Sequence, residues 1–161
     1  MTSFLGSALV GFMLLVAACA KAWRPLALRE LIQKILTVSS GAANFLVFTI
    51  LATESSLGAL LICQWQSQWV IPAAFILFSL LTGVSFYLAK KELIENCNCY
   101  GSFMKVSPKQ NMRINALYLL ILALSYSELS EPSVTPYWPL YLAAVLTTAL
   151  VLIAARKLKN N

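Results

Sequence analysis

The sequence predicts an all-α integral membrane protein: a bundle of about five transmembrane helices, with an amphipathic interfacial helix after the first. Three observations lead there. Of 161 residues, 60% are hydrophobic and 11% charged, against about 25% charged in a typical soluble domain. The mean hydropathy is +0.77. The apolar residues gather into runs near the roughly 20 residues that a bilayer core requires. Little length remains for a soluble domain, so residues 1–161 read as a single polytopic membrane domain.

Span one covers 4–23. It lacks the basic n-region and small-residue cleavage site of a secretory signal, which favours a retained helix. Residues 24–37 follow, reading RPLALRELIQKILT. Leu28, Leu31, Ile32, Ile35 and Leu36 recur at helical spacing, Arg29, Gln33 and Lys34 fall largely elsewhere on the wheel, and Pro25 suits a first turn. The segment therefore reads as a helix lying along the membrane surface; a partner-facing or solvated linker helix is the alternative. Spans two and three cover 42–63 and 69–89. Span four, 114–129, is short. Glu128, Glu131, Pro132 and Pro136 separate it from span five, 138–155, because proline and charge interrupt a buried helix.

Charge orders these spans. Lys21, Arg24, Arg29 and Lys34 follow span one. Lys90, Lys91, Lys105, Lys109 and Arg113 lie in the 90–113 loop, and Arg156, Lys157 and Lys159 follow span five. Together these are all 12 Lys and Arg of the chain. With five spans they fall on one side, which the positive-inside rule makes cytoplasmic, leaving the N-terminus outside and the C-terminus inside. The net charge of +6 is thus a topology signal and does not imply nucleic acid. Trp65, Trp69 and Trp138 fall at the outer boundary and Trp23 at the inner one, as interfacial anchors do. That preference accounts for them without quinone stacking, and no cofactor is otherwise evident.

The chain has no histidine. This removes Ser-His-Asp and Cys-His catalysis, histidine-ligated haem and the common zinc sites. Sulfur remains. Cys97 and Cys99, in Cys97-Asn98-Cys99-Tyr100-Gly101, stand one residue apart in a polar loop. A disulfide between them would close a small, strained ring, and strained disulfides are the labile ones. Nearby lysines favour a thiolate, which Glu95 opposes. The same spacing fits two unpaired thiols or half a metal site, although Cys-x-Cys supplies two of the four ligands zinc prefers. Cys19, about one turn before the cytoplasmic end of span one, is a candidate resolving thiol; a packing role is the alternative. Cys63 lies at the opposite end, about 30 Å away, too far to pair with the others.

Glu54 is the lone charge well inside a span, which makes it a functional candidate. The sequence places no Lys or Arg at its depth. It is therefore expected to be neutral, or hydrogen-bonded to Ser79 or Thr82 of span three, either as a structural contact between helices or as a proton-handling group. Small residues (Gly6, Ser7 and Gly11; Ser55 and Gly58; Ser79, Gly83 and Ser85) predict close helix packing with Glu54 facing inward.

Taken in order, these elements resemble the methylamine-utilisation MauE family, within the DoxX-like redox-associated membrane proteins. Ala18-Cys19-Ala20-Lys21 matches a small residue before a lysine. Glu54 with Gly58 matches a glutamate and glycine. Cys97-Asn98-Cys99-Tyr100-Gly101 is similar to Cys-x-Cys-Phe-Gly, and Arg113 with Asn115 stands near an Arg-Asn pair. The likeness covers roughly residues 5–125. Tyr100 departs from the usual phenylalanine, Cys19 stands where glycine is common, a proline before the glutamate is absent, and Ile114 separates Arg113 from Asn115. The resemblance implies a small membrane protein of the bacterial cytoplasmic (inner) membrane. It also implies a link to disulfide formation or maturation of a partner, alongside a thioredoxin-like protein. The chain lacks the Cys-x-x-Cys of other thiol-oxidising helix bundles, which makes that comparison analogy alone.

Two functions follow. One is a thiol–disulfide oxidoreductase in which Cys97 and Cys99 cycle, with a thioredoxin-like protein, a cysteine-bearing client or a quinone completing the circuit. The alternative is a non-catalytic small subunit or assembly factor of a larger membrane complex. A small-molecule transporter is disfavoured, since no inverted repeat is visible.

Overall fold

The computed structural model describes residues 2–65, 67–91, 107–127 and 137–159, and all of its elements are helices. They are α1 (Thr2–Trp23), α2 (Pro25–Leu36), α3 (Ser40–Ile62), α4 (Ser67–Lys91), α5 (Pro108–Ser127) and α6 (Trp138–Lys159). Four of them, α1, α3, α4 and α6, are long and apolar enough to cross a membrane. The fourth span expected from the sequence is α5. It has 20 residues, but Lys109, Gln110, Asn111, Arg113 and Asn115 in its first half lower its hydropathy. It nevertheless packs lengthwise against α4 and α1.

Local chemistry sets the helix ends. At α5, Ser107 and Gln110 form a reciprocal capping box: Gln110 N–H donates to Ser107 Oγ (3.2 Å) and Ser107 N–H donates to Gln110 Oε1 (3.0 Å). Pro108 takes the first helical position, where its missing N–H costs nothing. Pro25 does the same for α2. Thr37 ends α2 in the left-handed region (φ 50°), with its N–H bonded to Gln33 O, and Ser39 caps α3 by accepting from Ala42 N–H.

α1 and α3 form the antiparallel centre, and their backbones nearly touch. A Cβ on Gly11 would sit 2.7 Å from Gly58 O, and one on Gly58 would sit 2.8 Å from Gly11 O. Only glycine permits that approach. Beside it, Gln64 Nε2 donates to Ser7 Oγ at 2.6 Å. The small-residue expectation therefore holds for α1 and α3. It fails along part of α4, where Ser79 is exposed and Gly83 has no neighbour within 4 Å.

One apolar cluster joins α1, α3, α4 and α5 through Val10, Leu14, Leu61, Phe78, Tyr118 and Leu122. A second joins α1, α2, α3 and α6 through Ala22, Ile32, Val47, Leu51 and Ala154. The apolar stripe of α2 thus seats partly on the bundle, with Pro25 and Ile32 buried, while Leu36 stays exposed. Trp65 packs against the first cluster; Trp23, Trp69 and Trp138 are exposed, as anchors would be.

Helix directions follow from the cross-contacts. Ser85 meets Asn111 and Phe78 meets Tyr118, so α4 and α5 are antiparallel. Thr147 bonds Ser55 and Ser56 (both 3.0 Å), and Lys157 Nζ donates to Trp23 O (2.8 Å). Hence α1, α4 and α6 run one way, and α3 and α5 the other. The described basic residues from Lys21 to Lys159 gather toward one end of the bundle.

Candidate functional site

The only described charge pair inside the bundle is between Lys21 of α1 and Glu54 of α3. Lys21 Nζ donates to Glu54 Oε1. Their side chains are 6% and 1% exposed. This corrects the expectation that no basic residue reaches Glu54. Side chains on a helix lean toward its N-terminus. In antiparallel α1 and α3 that lean turns Lys21 and Glu54 toward each other, and the lysine stem spans the rest. Lys21, read from the sequence as a topology charge, is therefore a partner, and Glu54 is ion-paired rather than neutral. Ser79 and Thr82 do not serve it: their hydroxyls donate to Phe75 O and Phe78 O of their own helix.

Two further polar residues come from α5. Asn111 and Asn115 stand one turn apart and are each 2% exposed. Asn111 Nδ2 donates to Ser85 Oγ at 2.7 Å, and Ser85 donates to Leu81 O at 2.9 Å. Together with Lys21 and Glu54, they line a cavity of about 30 Å³ whose apolar walls include Leu14, Phe78 and Tyr118. By this measure a water needs about 10–15 Å³, so the space suits one or two waters. Two polar atoms at this site are buried without a partner: Glu54 Oε2 and Asn115 Nδ2.

The two described thiols lie apart. Cys19 is a free, exposed residue two positions before Lys21, and its neighbours Ala18 and Ala20 are buried. It sits on the outward side of α1, away from Glu54. Cys63 is also free and lies at the other end of the bundle; burial pushes its thiol pKa up. Cys97 and Cys99 lie outside the described residues. The helix ends flanking them, Lys91 of α4 and Ser107 before α5, are at the bundle end where α1 finishes.

Glu54 was identifiable because a lone carboxylate in an apolar run is conspicuous. Lys21 was missed, although it too lies before the end of its span, and an intramembrane carboxylate calls for a cationic partner. Asn111 and Ser85 were missed as site residues because polar side chains near a short span read as its solvated end.

The fold and site define a multi-pass α-helical membrane protein organised around a buried Lys–Glu ion pair. The chain belongs to the family described as Methylamine utilisation protein MauE, which matches residues 1–127. The match takes in α1 to α5 and leaves α6 outside. No curated protein and no solved structure matches the chain.

Proposed function

We propose that this chain is a membrane thiol–disulfide redox protein that assists disulfide formation or maturation of a partner protein, with Cys97 and Cys99 as the exchanging pair. The observation that carries the reading is the architecture around that loop. Helices α4 and α5, pinned together by Ser85–Asn111 and Phe78–Tyr118, end and begin on the side of the bundle where α1 finishes with Cys19 and Lys21, and the Cys97-Asn98-Cys99 segment lies between them in sequence. Membership of the MauE family supports it.

In the oxidising direction, a partner thiolate attacks one sulfur of a Cys97–Cys99 disulfide and forms a mixed disulfide, releasing the other sulfur as a thiolate. A second partner thiolate resolves the mixed species. The partner then holds the disulfide, and Cys97 and Cys99 hold two electrons and, once protonated, two protons. A thioredoxin-like protein or a quinone from the bilayer takes those electrons and restores the disulfide. Cys19 is the candidate third thiol in this exchange. Lys21–Glu54 fixes α1 against α3 and handles protons at the same end. The chain resides in the bacterial inner membrane, with the N-terminus outside and the basic end and the cysteine loop cytoplasmic.

A second reading, a non-catalytic subunit or assembly factor, is favoured by α6. This helix lies beyond the family match, yet docks on α3 through Thr147 and on α1 through Lys157. Replacing Cys97 and Cys99 together with serine separates the two. The relay is supported if client thiols stay reduced while the protein still assembles with its partners. Unaltered client oxidation with both sulfurs gone contradicts it.

A further inference from the structure

We infer that the cavity between Lys21, Glu54 and Asn115 is a water-binding site, holding one or two water molecules that bridge the α1–α3 ion pair to α5. Two residues that line the cavity carry unmet hydrogen-bonding groups of opposite sense. Glu54 Oε2 is an acceptor, and Asn115 Nδ2 is a donor; both are buried without a protein partner. A buried polar group left unmet bears its full desolvation cost, so an occupant that satisfies both is favoured.

The two atoms select that occupant. A bound cation would satisfy Glu54 Oε2 but not the Asn115 N–H, and would compete with Lys21. An anion would satisfy Asn115 but repel Glu54. A neutral molecule that both donates and accepts satisfies both, and the charge at the site is already balanced by Lys21. The volume of about 30 Å³ suits one or two waters.

The site's neighbours give the water a structural consequence. No direct bond links Asn115 to Glu54 or Lys21 among those seen, so water supplies the polar tie between the α1–α3 pair and α5. One turn away, Asn111 and Ser85 continue the polar row toward the end of the α4–α5 hairpin. This inference stands apart from the thiol reading, since it uses none of the cysteines.

X-ray hydroxyl-radical footprinting of the full chain in nanodiscs tests it, because radicals formed from bound water oxidise the side chains beside it. Tyr118 is 6% exposed and lines the cavity with Met13. Both are expected to be modified in the wild type. In N115L, which fills the cavity, their modification is expected to fall to about a third or less, while exposed Tyr137 is unchanged. Ala17 lines the same space, and A17L fills it from α1 as a second variant should N115L not fold. A silent Tyr118 in the wild type, or modification that persists in a folded cavity-filled variant, overturns the inference.

Discussion

Lys21 and Glu54 show at the residue scale why a membrane interior tolerates charge. Each alone would be too costly to bury; together they exchange hydration for one another. Lys21→Met leaves a buried carboxylate unpaired and is expected to destabilise the bundle by about 3–5 kcal/mol. Adding Glu54→Leu is expected to recover most of that loss. Thermal unfolding in detergent measures both, and a double variant no more stable than Lys21→Met would show that the charges are not paired. Cys63 makes a separate case. Burial raises its pKa, so at a given pH it holds less thiolate than an ordinary cysteine. Alkylation of Cys63 is expected to be slow near neutrality, with its rise displaced to higher pH; a rate equal to that of a free thiol would contradict this.

The central element is the α1–α3 pair, whose contact rests on two glycines. A methyl group at Gly58 would meet the backbone oxygen of Gly11 at 2.8 Å, whereas one at Gly83 meets nothing within 4 Å. Gly58→Ala is expected to cost about 1–3 kcal/mol through forced separation of the helices, while Gly83→Ala is expected to leave stability unchanged. Equal effects on the melting temperature would refute the close approach. Much of this level was legible. The apolar runs placed α1, α3, α4 and α6 because composition alone fixes what can face lipid. The amphipathic pattern of 24–37 likewise placed α2. Two things were not legible. The polar opening of α5 made it look like a span beginning at residue 114, when a capping box starts it at Pro108. The meeting of Lys21 and Glu54, 33 residues apart, depends on the register between helices, which local periodicity does not encode.

For the whole molecule, the sequence grouping of basic residues and the helix directions agree, since the described Lys and Arg cluster toward one end of the bundle. The topology we propose puts that end in the cytoplasm, following the positive-inside rule. An impermeant maleimide added to intact cells is therefore expected to spare Cys97 and Cys99 until the membrane is opened, and prompt labelling from outside would invert the topology. Lys21, the polar row on α5 and the helix ends that flank the cysteine loop lie toward this same end.

Trapping is the decisive measurement for the disulfide exchange proposed for Cys97 and Cys99. With one cysteine of the pair changed to serine in a Cys19→Ser background, the remaining sulfur has no thiol at that end to resolve a mixed disulfide. Cells expressing Cys97→Ser or Cys99→Ser, quenched with acid and separated without reductant, are expected to accumulate a covalent adduct with a partner protein. The adduct should disappear on reduction and be missing from the double variant. If neither single variant forms such an adduct, and client disulfides form normally when both sulfurs are gone, the thiol pair is not the working part of this protein.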